Sequence, residues 1–238
     1  MELAEVVGSL AGLRRFPIEP LGGEAANVAP VSGSGLLGDR AYVLCDEATG
    51  EPVLTGSAPL ILFYGARFLD DMVERDLDTW TRVRDPSGAE MPIGDPRWLE
   101  DLGRLLGRPL SLRPRAVDAA AGPLRLITRA TLRLAERSYG APLEPLRVRA
   151  NLLVEVPDGK AFEEDKWVGR RIGIGDTVLE ITGPAADCFV SDFESEIPRG
   201  DAAMLRGLVG VRRGHLGVAA RAIAGHRIRV GDPVALHD

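Results

Sequence analysis

Chemistry in this chain has few places to reside, and Cys188 is the first of them. It follows Gly183-Pro184-Ala185-Ala186-Asp187 at the end of an apolar segment, where its thiol faces either a loop or a cleft. A reactive thiolate and a small buried side chain are both compatible with that setting. Cys45, inside the run Ala41-Tyr42-Val43-Leu44, reads as core. His215, His226 and His237 stand apart from one another near turns, without the partners that a zinc site or a Ser-His-Asp triad requires. Arg40, Arg147 and Arg149 flank apolar segments. A guanidinium grips a phosphate through two parallel hydrogen bonds, and residues two apart on a strand share a face, so Arg147 and Arg149 are expected to point together. Surface ion pairing is the alternative, in a chain with 35 carboxylates. Glu163-Glu164-Asp165 reads as a solvated loop, because adjacent carboxylates repel and gain from water. The glycines at Gly22-Gly23, Gly33-Ser34-Gly35 and Gly38 fit neither the phosphate-loop nor the dinucleotide-binding pattern.

The elements that must position these residues are mostly short strands. Strands are expected at Glu5 to Leu10, Ala41 to Asp46, Thr79 to Arg84, Val148 to Val156, Arg171 to Ile174, Thr177 to Thr182, Gly217 to Ile223 and His226 to Val230, separated by turn signals. A helix should start at Asp95, which caps well, continue through Pro96 at the first helical position, bury Trp98, Leu102, Leu105 and Leu106, and stop at Gly107. A second helix follows Thr128 and ends before Gly140, and a third runs from Gly200 to about Leu208. This density of late, short strands favours a closed or nearly closed barrel.

At 238 residues, with 45% hydrophobic and 27% charged, the chain is an ordinary folded protein that can bury a sizeable core. A net charge of −6 gives no overall field for nucleic acid or an anionic membrane. Two cysteines without CxxC spacing point to a reducing cytoplasm. No export signal and no run of 18 apolar residues is visible. Pro, Ala and Gly accumulate between Pro109 and Pro123, where a domain boundary is placed.

Several segments, taken in order, resemble one family. They are Phe16-Pro17-Ile18-Glu19-Pro20-Leu21-Gly22-Gly23, Gly35-Leu36-Leu37-Gly38-Asp39-Arg40, Arg147-Val148-Arg149-Ala150-Asn151-Leu152-Leu153-Val154, Phe162-Glu163-Glu164-Asp165-Lys166-Trp167-Val168-Gly169, Arg171-Ile172-Gly173-Ile174-Gly175-Asp176, Cys188, and Gly217 to Val234 at the close. This order resembles the MOSC family with its N-terminal MOSC β-barrel region, over nearly the whole chain. The resemblance implies a mainly β fold with some helix (α+β), with residues 1–108 as the N-terminal region and 109–238 as the MOSC domain. It also implies the molybdenum cofactor, molybdopterin, with the metal held by the Cys188 thiolate. Arg40, Arg149 and Asn151 match positions near the pterin and its phosphate. Arg147 and Asp187 join the implied cofactor-binding set, and Thr128, in Leu126-Ile127-Thr128-Arg129-Ala130-Thr131, is an implied donor.

The activity implied is reduction of N-hydroxylated small molecules. With no four-cysteine ferredoxin module in the chain, electrons would come from separate proteins, an iron–sulfur or a flavin reductase. Two positions depart from the family pattern: Glu19-Pro20 stands where relatives usually carry Lys-Ser, and Asp187 where Arg often precedes the cysteine. Both put a carboxylate where an anionic cofactor favours a cation, and Asp187 would raise the thiol pKa of Cys188. Two alternatives follow: a scaffold that has lost the usual cofactor and does other sulfur or small-molecule chemistry at Cys188, and a carrier of cofactor or persulfide without turnover.

Overall fold

The structure is a computed structural model and describes residues 5–33, 35–54, 59–71, 76–115, 124–139, 148–185 and 215–237. In chain order its elements are β1 (Glu5–Arg15), β2 (Ile18–Glu19), β3 (Glu24–Ala26), β4 (Val28–Ser32), β5 (Gly35–Leu36), β6 (Tyr42–Asp46), β7 (Gly65–Phe68), α1 (Leu77–Trp80), β8 (Thr81–Arg84), β9 (Glu90–Pro92), α2 (Pro96–Leu106), β10 (Leu110–Pro114), β11 (Leu124–Thr128), α3 (Arg129–Tyr139), β12 (Leu152–Glu155), β13 (Arg171–Ile174), β14 (Thr177–Pro184), β15 (Val218–Ala224), β16 (Arg227–Arg229) and β17 (Pro233–His237).

Seven strands close a barrel in the order β12-β11-β15-β14-β13-β17-β1, and β1 returns to pair with β12. All neighbours are antiparallel except β11 and β12. The interior is aliphatic: Leu10, Leu13, Leu126, Val154, Ile172, Ile181 and Val234 pack into one cluster around Trp167. Closure depends on β1, which serves β17 with one half and β12 with much of its length, bending at irregularities between Val6 and Gly8 and between Leu10 and Gly12. Gly8 sits at that seam. A Cβ there would lie 2.1 Å from the Glu155 carbonyl oxygen, so any side chain would push β12 away.

A second layer, with its own core of Ile18, Leu44, Ile61, Val83, Trp98 and Leu102, is built from the sheets β10-β6-β2 and β7-β8-β9. Its helix α2 follows local chemistry. Asp95 accepts from the Arg97 N–H, Pro96 occupies the first turn, and Gly107 closes the helix at φ 68°. Trp98 is buried and donates its indole N–H to the Ile93 carbonyl at 2.9 Å.

Strands cross the 108/109 boundary in both directions. β1 belongs to the barrel, whereas β10 pairs with β6 in register from Leu110 opposite Asp46 to Pro114 opposite Tyr42. Late in the chain, β16 pairs with β4. Two expected strands are shorter than their apolar patterns. The segment Val148 to Val156 becomes a strand only from Leu152, because Arg149 adopts a left-handed backbone conformation (φ 46°). Thr79 and Trp80 belong to α1, capped by Asp76, so β8 begins at Thr81. The helix expected at Gly200 to Leu208 lies outside the described residues. Among the described residues, no helix is long and apolar enough to cross a membrane.

One buried ion cluster ties the barrel to the second layer. Arg15, fully buried at the end of β1, donates from Nε to Glu24 Oε1 at 2.9 Å and from Nη1 to the Asp71 carbonyl at 2.9 Å, and it lies over the Phe68 ring. Glu24 Oε2 accepts from the Phe68 N–H of β7. Burial pushes the Glu24 carboxyl upward, and Arg15 opposes that shift. Arg15→Met is expected to cost about 3–5 kcal/mol in urea unfolding, the cost of leaving a buried partner unpaired, and adding Glu24→Gln should recover part of it. An unchanged midpoint for Arg15→Met would refute the clamp.

Candidate functional site

The candidate site forms where the end of the β10-β6-β2 sheet meets the approach to β12. Arg40 closes the turn into β6, donating its backbone N–H to the Phe16 carbonyl at 2.8 Å. The turn is tight: Gly38 has φ 79°, and a Cβ there would lie 2.5 Å from the Phe68 ring. Asp39 accepts the Phe16 N–H on Oδ1 (2.8 Å) and pairs with Arg40 Nη1 through Oδ2. Arg40 also reaches Asn151 Oδ1 (3.4 Å) and the Arg149 carbonyl (3.5 Å), both long contacts.

Arg149 comes from the other side. Its guanidinium crosses to the second layer, where Nη1 donates to the carbonyls of Pro20 (3.0 Å) and Leu21 (2.8 Å). Both guanidinium groups contact the Phe16 ring, Arg149 at 4.4 Å and Arg40 at 5.6 Å from its centroid. Asn151 fixes the junction, accepting the Arg125 N–H (3.1 Å) and donating to the Arg14 carbonyl (3.1 Å). Arg40 and Arg149 both hold positive φ, 51° and 46°, a conformation that costs a non-glycine residue on the order of 1 kcal/mol and is maintained by these contacts.

The structure thus brings together Arg40, Arg149 and Asn151, and not by a shared strand face. Arg149 precedes β12 and is buried. Arg147, Asp187 and Cys188 lie outside the described residues. Burial, followed by the nearby Arg40 charge, pushes the Arg149 guanidinium down to about 9, while Glu19 and Asp39 pull it up. Arg149 Nη2 is buried with no hydrogen-bond partner among the described residues. A desolvated, under-neutralised arginine pair with a spare donor is suited to an oxyanion. Glu19 does not confront this pair as a bare carboxylate, because it forms an ion pair with Arg115. Nothing in the spacing of the sequence links those two residues or marks Phe16 as the common platform.

Thr128 has a different role from the one expected. Its hydroxyl donates to Glu164 Oε2 (2.7 Å) and accepts the Thr131 N–H at the start of α3 (3.3 Å). Thr131 also donates to Glu164 Oε2 (2.9 Å). The acidic triplet is correspondingly not a solvated loop: Glu163–Trp167 is a 3-10 helix that turns Glu164 fully inward while Glu163 pairs with Lys166. Its flanking aromatics, Phe162 and Trp167, were the available signal. Cys45 is buried, its thiol directed at the Val43 carbonyl, as core packing requires. Next to Asn151 opens a cleft of about 300 Å³ lined by Gly12, Ala25, Ile127, Leu132 and Val148.

A closed barrel with one parallel strand pair, joined to a smaller β layer across buried arginines, defines the class of protein. The MOSC domain pattern matches residues 114–235, and the chain belongs to the MOSC domain family. The fold is similar to that of the YuaD protein from Bacillus subtilis, at 12% identity and a TM-score of 0.52 over 99% of each chain. YiiM from Geobacillus stearothermophilus matches at 18% identity and a TM-score of 0.35, over 48% of this chain and 54% of that one. YiiM from Escherichia coli matches at 16% identity and a TM-score of 0.36, over 53% and 58%. Among curated proteins none matches at a significant level.

Burial raises the Glu164 carboxyl above its ordinary range, against the hydrogen bonds from Thr128 and Thr131. An acid raised by folding contributes stability that is fully present below its unfolded pKa and is lost as pH rises through the folded value. Glu164→Gln, which removes the charge and keeps an acceptor, should therefore gain stability over wild type progressively from pH 4 to pH 7 in chemical unfolding. Parallel stability curves for the two proteins would show that the carboxyl does not titrate abnormally.

Proposed function

We propose that this protein is a MOSC oxidoreductase that holds molybdopterin at the Arg40–Arg149 junction and reduces N-hydroxylated small molecules. The observation that carries the reading is the buried Arg149 Nη2, a donor with no partner among the described residues, beside a second guanidinium, in a chain of the MOSC family. The described residues fit the anionic end of the cofactor: Arg149 and Arg40 would hold its phosphate, Asn151, two residues after Arg149, ties that approach to β1 at Arg14 and to β11 at Arg125, and the Phe16 ring keeps water from the guanidinium faces. Cys188 is the metal-binding thiolate in this reading, by resemblance. When bound, the cofactor supplies the metal centre for two-electron reduction. Cleavage of the N–O bond consumes two electrons and two protons and releases water, with the electrons delivered by a separate iron–sulfur or flavin reductase. The apolar cleft beside Asn151 offers a small substrate a place to enter. A reducing cytoplasm would keep the Cys188 thiol available.

A second reading is favoured by Glu19, whose carboxylate occupies a motif position that is usually cationic in relatives. Here the scaffold has lost the cofactor and uses Cys188 for other sulfur or small-molecule chemistry. The deciding experiment is elemental analysis of protein from a host that makes the pterin. Near-stoichiometric molybdenum, lost in a folded Cys188→Ser variant, supports the first reading, and turnover of an N-hydroxylated substrate with an electron donor separates an enzyme from a carrier. Folded protein without molybdenum from that host supports the second.

The anion site makes a pH prediction. Sulfate keeps its charge across the range, so its affinity reports on the protein. If Arg149 loses its proton near pH 9, sulfate affinity measured by calorimetry should fall by about tenfold between pH 7 and pH 10, one unit past the arginine's midpoint. A flat profile would show that the sulfate site loses no proton between pH 7 and pH 10.

A further inference from the structure

Arg115 emerges from the end of β10 at the edge of the sheet that carries Glu19 and Arg40. Its backbone N–H donates to the Ala41 carbonyl at 2.7 Å. On the other side of β6, Glu19 stands opposite Val43 in the parallel β2–β6 pair. Arg40 ends the turn immediately before Ala41. Three strand ends therefore deliver Arg40, Glu19 and Arg115 to one place, and the chain continues from Glu19 into Pro20 and Leu21, whose carbonyls hold Arg149. The Glu19 charge reaches Arg149 and supports its protonation.

Arg115 is only partly used by its partner. Nη2 pairs with Glu19, and the two side chains remain 28% and 29% exposed. Nε is buried with no hydrogen-bond partner among the described residues. A guanidinium carries five donors in a fixed fork, and this one is docked by a single carboxylate while an inward-facing N–H has nothing to bind. The same condition holds for Arg149 Nη2 across the junction. Among the described residues around this junction, then, three arginines (Arg40, Arg115 and Arg149) share two carboxylates (Asp39 and Glu19), and two of their buried nitrogens lack partners.

We infer that Arg115 is a third anion-binding arginine of this site, with Glu19 as an internal carboxylate that competes with the bound phosphoryl group for the Arg115 guanidinium. The inference rests on the anion-binding reading of the Arg40–Arg149 junction and extends it to a residue outside the recognised motifs. The acidic substitution at Glu19 then does not simply weaken the site. It holds an added cation in place, which the incoming oxyanion draws away.

The test is a thermodynamic cycle with inorganic phosphate as the probe, measured by calorimetry on the full chain produced without the pterin. Arg115→Gln should weaken phosphate by about tenfold, the value of one charged hydrogen bond, and Glu19→Gln should tighten it. The double variant decides between binding and mere charge neutralisation. If Arg115 contacts the anion, Glu19→Gln/Arg115→Gln stays at least about threefold weaker than wild type. If Arg115 only screens Glu19, the double variant returns to wild-type affinity, which overturns the inference and leaves the junction's anion reading standing. A wild-type chain that binds no phosphate at millimolar concentration overturns both. Both side chains are part-exposed, so the variants are expected to fold, and coincident unfolding midpoints verify it. Pterin content of the same variants from a cofactor-competent host identifies the source of the phosphoryl group: it falls in Arg115→Gln if the group belongs to the cofactor, and stays constant if the site takes a free phosphate ester.

Discussion

The junction between the two layers depends on keeping the Arg149 guanidinium out of water. Desolvating a cation costs several kcal/mol even after relaxation. Against this stand two charged hydrogen bonds to Pro20 and Leu21, worth about 1.5–3 kcal/mol each, and a desolvated contact with Phe16, worth up to about 2 kcal/mol. These terms are comparable, so the arginine is tolerated without being strongly favoured. Burial, with Arg40 on the same ring adding to it, works against the charged form, and the result is the lowered proton affinity of Arg149. A fold that brings two arginines to one phenylalanine, with one of their donors unbound among the described residues, gives up stability at the point where an anion would restore it.

That arrangement requires the chain to be interleaved. β1 belongs to the barrel although it precedes the second layer in the chain, and Phe16, immediately after it, is the platform for both arginines. Arg15 fixes the exit of β1 against Glu24 and β7, which prevents the platform from tilting away. β10 returns from α2 to β6 before the chain enters β11, so the second layer is complete before most of the barrel follows. The site is shared by construction, since neither layer alone holds both Arg40 and Arg149.

Legibility in the sequence follows the range of the interactions involved. α2 is readable because Asp95, Pro96 and Gly107 act within one or two turns of the helix they delimit. β13 is readable because Arg171 to Ile174 ends in a turn signal, Gly175-Asp176. β2, β3 and β5 are two or three residues long and carry no period at all. Arg40, Arg149 and Asn151 were legible as a group through motif order, yet their geometry was not. Arg149 is held by carbonyls some 130 residues away, and that contact sets its backbone into the left-handed region where the apolar pattern implied strand. Glu164 fails for a related reason: three adjacent acids look solvated until the end of β11 supplies Thr128 and the first turn of α3 supplies Thr131 to receive one of them.

Glu19 illustrates what a motif comparison measures and what it omits. Position by position, an acid in place of a lysine reverses a charge. In the fold, that acid lies across β6 from an arginine that enters the site from the end of β10, and the pair as a whole is neutral. The local field that an anion meets is set by the pair and its neighbours, because at a partly buried site opposite charges a few ångströms apart largely cancel beyond their own contact. A substitution that looks disabling in the motif is thus partly compensated by a residue outside it, while the Glu19 charge that still reaches Arg149 supports its protonated form and leaves Arg40 and Arg149 in place.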